Sequence, residues 1–520
     1  MDAAQVDSDE VVIKDVAFQS ESIRRRVLTS YWIVVLLALP LWWYSTSIQR
    51  LSLPNSRVHA QESKQLVFSA DIGVTVEGLN FDAQQLVRNV GDNLKDVIRS
   101  RELGYVFDVK LYVPSSSRHD YTVTIKNSTD SYVLANHLSF GAASHSPSEV
   151  PFKLANTLGD LLTSSLASKR HHDEEHRVMQ YAPRYRLAFS LLNEDATAGN
   201  TAFGWEIQEA INRSLSPSLK QLSALHNFTI ESHVQFHAPL AFTPKNLVVG
   251  DSTIPLHGLT QEQLTVFINS ADWVVSSGVS NDPVLHFVLY VPSASRRPLR
   301  ILDTEGNPTA SSAFIVPQWG GVVIYNPPVT TSTENFHLDV SMLRNPFSIF
   351  QTQLLALLGV PQLPSGINTA PRNADNNNGE TGTGRTSWQL DALLRARALE
   401  ATKGSTETMT SIVKLVKQID GMPVGKDVLD DVRGALDALD EVYTSALHSP
   451  RLALSHARDA AVRASRAFFN PGMLALLYFP AEHTLAVYTP LFAPVGVPLI
   501  AAALREMRDW RARKQAARTA

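Results

Sequence analysis

Two long apolar runs lie at opposite ends of this chain. Residues 27–44 read VLTSYWIVVLLALPLWWY without a charge, and with the next four residues they are long enough to cross a hydrocarbon core of ~30 Å. Pro40 should kink this helix, which a spanning helix tolerates. Three arginines at 24–26 precede the run, and this basic flank predicts a cytoplasmic N-terminus. The run starts late and no small-residue cleavage site follows it, so we predict a retained membrane helix at 27–48 after a cytoplasmic tail at 1–26.

The second apolar run contains a regular series of prolines. Residues 484–504 read TLAVYTPLFAPVGVPLIAAAL, and the prolines recur every four residues, which places them on one helix face. Each proline removes a backbone donor, so we expect a bent or partly unwound helix. Such a helix favours a partner that packs against its irregular face, where small residues permit close approach. The predicted partner-packing membrane face consists of Pro490, Ala493, Pro494, Gly496 and Pro498.

The charges after the second run complete the predicted topology. The tail at 505–520 carries six Lys or Arg residues against two acidic ones, which predicts a cytoplasmic C-terminus. Two spans and two cytoplasmic ends place the intervening residues on the far side of the membrane. Three N-x-Ser/Thr sequons lie in that part, and we predict glycosylation at Asn127, Asn212 and Asn227.

Between the spans, strand-like and helix-like patterns alternate. Residues 66–76 and 184–192 have the apolar content of buried strands, whereas 82–101 and 205–225 have helical spacing. This alternation predicts an α/β domain with some parallel strand pairing over 49–372.

The remainder of the middle part changes character along the chain. An Asn- and Gly-rich stretch at 373–385 predicts a flexible linker. Helical stripes follow at 386–470, and these helices need to pack together or on the α/β part. We interpret the region as a helical stalk leading to the membrane. The short apolar stretch within 471–483 predicts a segment in the membrane interface.

One octapeptide pattern occurs twice. Residues 111–118 read LYVPSSSR and residues 289–296 read LYVPSASR, each after an apolar strand and each followed by an amphipathic helix. The chain therefore contains either two related α/β units or a coincidental strand-and-turn pattern.

Composition excludes several classes of function. Lys and Arg total 46 against 50 Asp and Glu in 520 residues, and this balance argues against nucleic-acid binding. The chain contains no cysteine, which excludes a thiol nucleophile, a disulfide scaffold and a cysteine zinc site.

Two motifs resemble catalytic sites only superficially. His172 and His176 fit an H-x-x-E-H metal pattern, but no apolar neighbour is present to bury such a helix. Residues 379–386 approach a phosphate-binding loop, but Arg385 replaces the lysine and no strand precedes it. We therefore predict no catalytic, cofactor-binding or metal-binding residue in the chain, and no cofactor.

Several blocks of sequence together resemble the PIG-S family, whose members are subunits of the glycosylphosphatidylinositol (GPI) transamidase complex. None of the blocks is a catalytic signature, and they occur in the order of the family. They are RRVLTSYWIVVLLALPLWWYSTSIQRLSLP (25–54), RYRLAFSLLNED (184–195), GWEI (204–207), WGGVVIYN (319–326), SWQLD (387–391) and LLYFPAEHTLAVYTPLFAPVGVP (476–498).

The resemblance implies a non-catalytic subunit in the endoplasmic reticulum membrane with its bulk in the lumen. It implies as partners PIG-K, PIG-T, PIG-U and the GPI anchor attachment subunit, together with membrane lipid and, as further ligands, the GPI lipid and the precursor protein. It assigns the catalytic cysteine and histidine to PIG-K. Two other interpretations stay open at this point: a membrane-tethered lumenal hydrolase with its own α/β site, and a stand-alone lumenal adaptor for secretory cargo.

Overall fold

The computed structural model of the chain describes residues 21–46, 50–79, 82–113, 119–167, 177–247, 256–278, 280–328, 334–369, 386–419, 422–474 and 481–519. Contacts divide the chain into two compact units. The first consists of Met1–Val58, Thr408–Gly434 and Arg463–Ala520, and the second of His59–Glu407 and Ala435–Val462. The first unit contains both long apolar helices, and the second contains the sheets.

The helices occur at both ends of the chain and between the strands. They are α1 (Glu21–Thr46), α2 (Asn55–Ser63), α3 (Ala83–Ser100), α4 (Val150–Leu162), α5 (Ile207–Ser214), α6 (Ser216–Leu222), α7 (Gln261–Thr265), α8 (Val340–Leu358), α9 (Ser387–Gln418), α10 (Lys426–Ser445), α11 (Pro450–Phe468), α12 (Pro471–Leu474) and α13 (Ala481–Thr519).

The strands all lie in the second unit. They are β1 (Val67–Glu77), β2 (Val106–Tyr112), β3 (Tyr121–Lys126), β4 (Ser131–Leu134), β5 (His137–Gly141), β6 (Arg184–Asn193), β7 (Ala202–Trp205), β8 (Asn227–Gln235), β9 (Lys245–Leu247), β10 (Leu256–Leu259), β11 (Val284–Val291), β12 (Leu299–Ile301), β13 (Ala313–Val316), β14 (Gly320–Ile324), β15 (Phe336–Leu338) and β16 (Ile367–Thr369).

The first large sheet has six strands in the order β16-β4-β5-β3-β1-β2. Strands β2, β1, β3 and β5 are parallel neighbours, and β4 is antiparallel to β5. Helix α3 connects β1 to β2 and begins at Asp82, whose carboxylate accepts a hydrogen bond from the Gln84 amide at 3.0 Å. It buries Leu86, Val90 and Leu94, the helical spacing that the sequence predicts.

The second large sheet repeats this plan. Its order is β13-β14-β11-β6-β8, where β8, β6, β11 and β14 are parallel neighbours and β13 is antiparallel to β14. Helices α5 and α6 connect β6 to β8, as α3 connects β1 to β2. Helix α8 follows the β13–β14 hairpin, as α4 follows the β4–β5 hairpin. The two sheets thus share strand order, strand direction and helix placement. The second compact unit therefore contains two related α/β units, one built on each large sheet.

The octapeptide that suggested this relationship does not mark equivalent positions. Leu111 lies at the end of β2, whereas Leu289 lies in β11, whose counterpart in the first sheet is β3. The LYVPS pattern therefore does not mark equivalent strands of the two sheets. The equivalent elements themselves diverge in sequence.

The second sheet carries additional elements on one face. Strands β12, β10 and β9 form a small separate sheet. Buried apolar side chains of this region pack on the large sheet, with Phe267 and Trp273 contacting Tyr290 at ring-centroid distances of 5.1 and 5.6 Å. These insertions close the face of the sheet that α8 does not cover.

The start of α9 belongs to the core. Trp388 stacks on Tyr121 of β3 at 4.0 Å, and the Tyr121 hydroxyl donates to the Asp391 carboxylate at 2.6 Å. Arg395, which is 1% exposed, donates to the Leu162 carbonyl at 2.9 Å. The start of α9 thus packs on the α/β part, one of the two arrangements expected for these helices, because its aromatic, carboxylate and guanidinium groups find their partners on β3 and α4.

These observations confirm the predicted fold class, an α/β part and a C-terminal helical region between two candidate membrane helices. The boundaries given for individual domains stay predictions. The linker at 373–385 lies outside the described residues, as do residues 475–480 of the expected interfacial segment. Met473, at the start of that apolar stretch, is buried inside the protein.

Candidate functional site in the membrane helices

Helices α1 and α13 expose apolar surface along most of their length. The candidate spans are Ser22–Trp42, with mean hydropathy 1.3, and Ala486–Ala517, with mean hydropathy 1.7. The side chains of Leu37 and Leu41 in α1 are each 70% exposed, and Leu491 in α13 is 66% exposed. So large an apolar surface is unfavourable in water and suits a lipid environment.

Contacts at both ends show that α1 and α13 are antiparallel. Near the start of α1, Arg24 and Arg25 bind the Glu506 carboxylate at 2.9 and 2.5 Å. Near its end, Trp42 contacts the rings of Tyr488 and Phe492 edge-on at 5.3 and 5.0 Å. A helix rises roughly 27 Å between positions 24 and 42, close to the thickness of a hydrocarbon core. The pair therefore forms a hairpin of membrane length with both outer ends on one side.

The aromatic contact borders an open cleft of about 430 Å³. Ala493 and Gly496 line it and are half-buried. A Cβ atom on Gly496 would meet no atom within 4 Å, so the packing of α1 does not require this glycine. The other lining residues are Trp42, Tyr488, Thr489, Phe492, Val497 and Ile500.

The prolines of α13 lie on a different side from this cleft. Pro490, Pro494 and Pro498 are all exposed, and none of them lines the cleft. The predicted five-residue face is thus two surfaces, a proline side and a small-residue side formed by Ala493 and Gly496. The spacing of the prolines puts them on one side of the helix, while the intervening small residues turn toward α1.

The backbone of α13 stays helical through all three prolines, from Ala481 to Thr519. The expected local unwinding does not occur, since each proline removes one hydrogen bond while the neighbouring bonds remain. The carbonyls four residues earlier, those of Ala486, Pro490 and Pro494, lose their usual helical donor. Carbonyls without a donor are unfavourable in hydrocarbon, so the proline side favours contact with a group that can donate.

The three predicted glycosylation sites lie at the surface of the second unit. Asn127 follows β3, Asn212 lies in α5, and Asn227 begins β8, and all three side chains are exposed. Their positions are accessible to a modifying enzyme in the folded chain.

The carboxyl ends of β6 and β11 form the place where open α/β sheets usually bind a ligand. Here Glu194, 4% exposed, accepts a hydrogen bond from the Ser293 amide at 2.9 Å and pairs with Arg296. Asn193 exchanges two hydrogen bonds with the backbone of Ala202, at 2.8 and 3.1 Å. The polar side chains at this edge thus bind one another and stabilise the turn.

Other candidate chemical groups also have structural roles or lie outside the description. His286 stacks on Trp319 at 4.5 Å, and burial lowers its pKa, so it is a packed strand histidine. His172, His176 and residues 379–385 lie outside the described residues. Within the described part of the chain, no group of three or more His, Cys, Asp or Glu side chains could hold a metal ion.

Sequence reasoning missed the partners within the helix pair. The basic flank was visible as a membrane-boundary signal, but the sequence did not indicate Glu506 as its partner or Tyr488 as the partner of Trp42. These contacts join residues more than 400 positions apart, and no local pattern encodes such a pairing.

Comparison with known proteins places this architecture in a family. The family model for the phosphatidylinositol-glycan biosynthesis class S protein, PIG-S, matches residues 29–513. The chain belongs to the PIG-S family. The matched region includes most of both candidate membrane helices and both α/β units in full, so membership covers nearly the entire fold.

Curated relatives of PIG-S type match over similar lengths. The human GPI-anchor transamidase component PIGS is 28% identical over 94% of this chain and 96% of the human protein. The GPI transamidase component PIG-S homolog of Schizosaccharomyces pombe is 26% identical over 94% of this chain and 85% of its own length. The GPI transamidase component GPI17 of Saccharomyces cerevisiae is 26% identical over 89% of this chain and 88% of its own length.

Proposed function

We propose that this chain is a non-catalytic, membrane-anchored subunit of a GPI transamidase complex, which supports the attachment of GPI anchors to the C-terminus of precursor proteins in the endoplasmic reticulum lumen. The observation that carries the proposal is the family match over residues 29–513, together with relatives that are named components of that enzyme. The chain has no cysteine, in keeping with a catalytic cysteine on a partner.

The proposed topology follows from the helix pair. An antiparallel hairpin of membrane length supports both chain ends on one side, and the basic residues at 24–26 and in the tail support a cytoplasmic location for that side. The two α/β units then lie in the lumen with the exposed sequon asparagines.

The proposed partners are the other subunits of that complex: PIG-K, PIG-T, PIG-U and the GPI anchor attachment subunit. Membrane lipid surrounds α1 and α13, while the GPI lipid and the precursor are further proposed contacts. Within this assembly, the side of α13 that carries Pro490, Pro494 and Pro498 and the cleft beside Gly496 are the proposed packing surfaces for other membrane helices.

The experiment that tests this function is affinity purification of the full chain from its own membranes in mild detergent. We expect the other transamidase subunits to co-purify in fixed ratio, with activity on a precursor peptide in the purified complex. A chain that purifies alone, yet cleaves peptides, would instead be the tethered hydrolase. A chain that purifies with varied secretory cargo and without these subunits would be the adaptor.

A further inference from the structure

Strand β8 forms an open edge of the second large sheet. It pairs with β6 in parallel over nine residues, from Arg184 opposite Asn227 to Leu192 opposite Gln235. The sheet order ends at β8, so the described residues provide no strand on its outer side. Natural proteins usually protect such an edge, because its free backbone groups can pair with another chain.

One hydrogen bond shows which backbone N–H and C=O groups of β8 point away from the sheet. The Asn227 amide donates to the Pro183 carbonyl at 2.9 Å, so the backbone groups of Asn227 point toward β6. Successive residues of a strand alternate in direction, and the backbone groups of every second residue therefore point away from the sheet. These residues are Phe228, Ile230, Ser232 and Val234.

The same alternation gathers apolar side chains on one face of this edge. Ile230 is 44% exposed, Val234 is 39% exposed, and Phe236, just beyond the strand, is 48% exposed. With the half-buried Phe228, these residues form what we call the edge patch. An apolar patch along an open edge is costly in a water-soluble region and is typical of a covered surface.

The opposite face of β8 already has partners in its own chain. The Glu231 carboxylate accepts a hydrogen bond from the Ser277 hydroxyl at 2.5 Å and pairs with Arg186 at 3.5 Å. The side-chain amide of Gln235 donates to the backbone carbonyl of Asp272 at 2.7 Å. The sequon residue Asn227 has its side chain on this opposite face, so a glycan there would leave the edge patch accessible.

The first sheet supplies an internal comparison. Its equivalent edge strand is β2, in which the Val106 amide donates to the Leu66 carbonyl at 2.9 Å, so Phe107 and Val109 take the outward positions. These two side chains are only 8% and 9% exposed, and the Arg395 guanidinium covers the Phe107 ring at 4.6 Å. In the first sheet, other residues of the chain thus cover the apolar side chains at the outward positions of β2. In the second sheet, the equivalent side chains of β8 stay exposed.

We propose that β8 binds an extended segment of another subunit of the complex, which adds a strand to the sheet and covers the edge patch. Only an extended polypeptide offers donors and acceptors at the spacing of the free groups on Phe228, Ile230, Ser232 and Val234. On the side of the edge patch, the segment carries uncharged apolar residues at alternating positions. This inference rests on the proposed function, since it takes the partner from the same complex.

The first test uses a proline that affects only the outer side of the strand. The exposed Ser232 has its amide directed outward, so Ser232→Pro removes a donor needed by an added strand and keeps the hydrogen bonds to β6. Ser232→Ala is the matched control, because it keeps that amide. We expect Ser232→Pro to reduce co-purification of one subunit about tenfold, equal to about 1.4 kcal/mol, while Ser232→Ala behaves as wild type.

The second test identifies the occupant without disturbing the fold. A photo-cross-linking residue at position 230 or 234 in the assembled complex should capture one other subunit, at residues spaced by two along that subunit. The same residue placed at the exposed Asp108 of β2 is the control and should not capture that segment. Capture of a second copy of this chain, a helical spacing of cross-links, or no capture would overturn the proposal.

The outcomes also separate this inference from the proposed function. If wild-type chain brings down no transamidase subunit, the proposed function fails. If wild-type chain brings down the complex, and Ser232→Pro with a normal unfolding temperature does so equally well, only the strand addition is wrong.

Discussion

At the scale of single residues, the second unit depends on polar side chains buried in defined pairs. Burial raises the pKa of Tyr121, so its hydroxyl stays protonated and donates to Asp391. Arg395 lies beside both groups and over the Phe107 ring. The SWQLD block, which pointed to the family, and Arg395 therefore stabilise the junction of α9 with the first sheet.

Substitution of Arg395 tests this role. Arg395→Met leaves the Leu162 carbonyl without its donor and the half-buried Asp391 without its neighbouring cation, so we expect a loss of about 1–3 kcal/mol in the free energy of unfolding. Denaturant unfolding of the full chain in detergent measures it. Arg99→Met, at an exposed position of α3, is the control and should cost little. Equal stability of the two variants would contradict the assigned role.

His226 makes stability depend on pH. It is 1% exposed, its Nδ1 lies 2.6 Å from the Ala182 carbonyl, and burial lowers its pKa to about 4, with Arg397 and Arg458 acting in the same direction. Because the pKa is lower in the folded chain than in the unfolded chain, the stabilisation is present above pH 6.5 and is lost as the pH falls toward 4. The shift corresponds to about 3 kcal/mol.

The measurement is the free energy of unfolding at pH 7 and at pH 4 for wild type and for His226→Gln. We expect wild type to lose about 3 kcal/mol more than the variant over this interval. His59→Gln is the matched control, because it removes a histidine from the protein surface. If His226→Gln and wild type lose stability in parallel, His226 is not the titrating group.

At the scale of elements, α13 combines a continuous helical path with two unlike surfaces, one rich in prolines and one formed by small residues beside Trp42. A helix that only anchors the chain needs neither. We expect replacement of residues 484–504 by an unrelated spanning helix of equal length to preserve insertion and topology and to weaken co-purification of the other subunits.

A narrower change distinguishes the proline side from the rest of α13. Changing Pro490, Pro494 and Pro498 together to Ala restores a donor for each carbonyl, so the helix itself should not be weakened. Reduced co-purification with normal insertion would support a partner on this side. Leu491→Ala, at an exposed position, is the matched control. For the replacement of residues 484–504, normal assembly of the complex and normal GPI attachment would show that α13 serves only as an anchor.

Elements with a clear period were predictable, and long-range relations were not. The apolar run at 184–192 correctly predicts β6, in which nine of the ten residues are buried. The predicted helix at 205–225 divides into α5 and α6 at Leu215, just before Pro217. The burial of α9 was not predictable, since Arg395 and Arg397 are typical of a solvated face until their partners on other elements are known.

The candidate sites also include features that follow from local sequence and features that depend on contacts between distant residues. The three sequon asparagines and the prolines of α13 are exposed, as local sequence suggested. The separation of Ala493 and Gly496 from the prolines depends on where α1 packs, which the sequence of α13 does not contain. The edge patch of β8 also escaped sequence reasoning, because its exposure follows from strand order.

At the scale of the whole molecule, the account predicts a defined topology. Both ends should be cytoplasmic, with Asn127, Asn212 and Asn227 in the lumen. Protease treatment of intact microsomes should remove tags from both ends and leave the middle of the chain protected. A C-terminal tag that stays protected until detergent is added would contradict the antiparallel hairpin as a two-span anchor.

The central claim is that the chain supports GPI attachment as a subunit and does not itself catalyse it. The most direct measurement is the conversion of a precursor protein to its GPI-linked form by the purified complex, assembled with and without this chain, and by the chain alone. The account predicts full conversion only with the complete complex and none with the chain alone. Cleavage of the precursor by the isolated chain, or undiminished conversion by a complex that lacks it, would contradict the account.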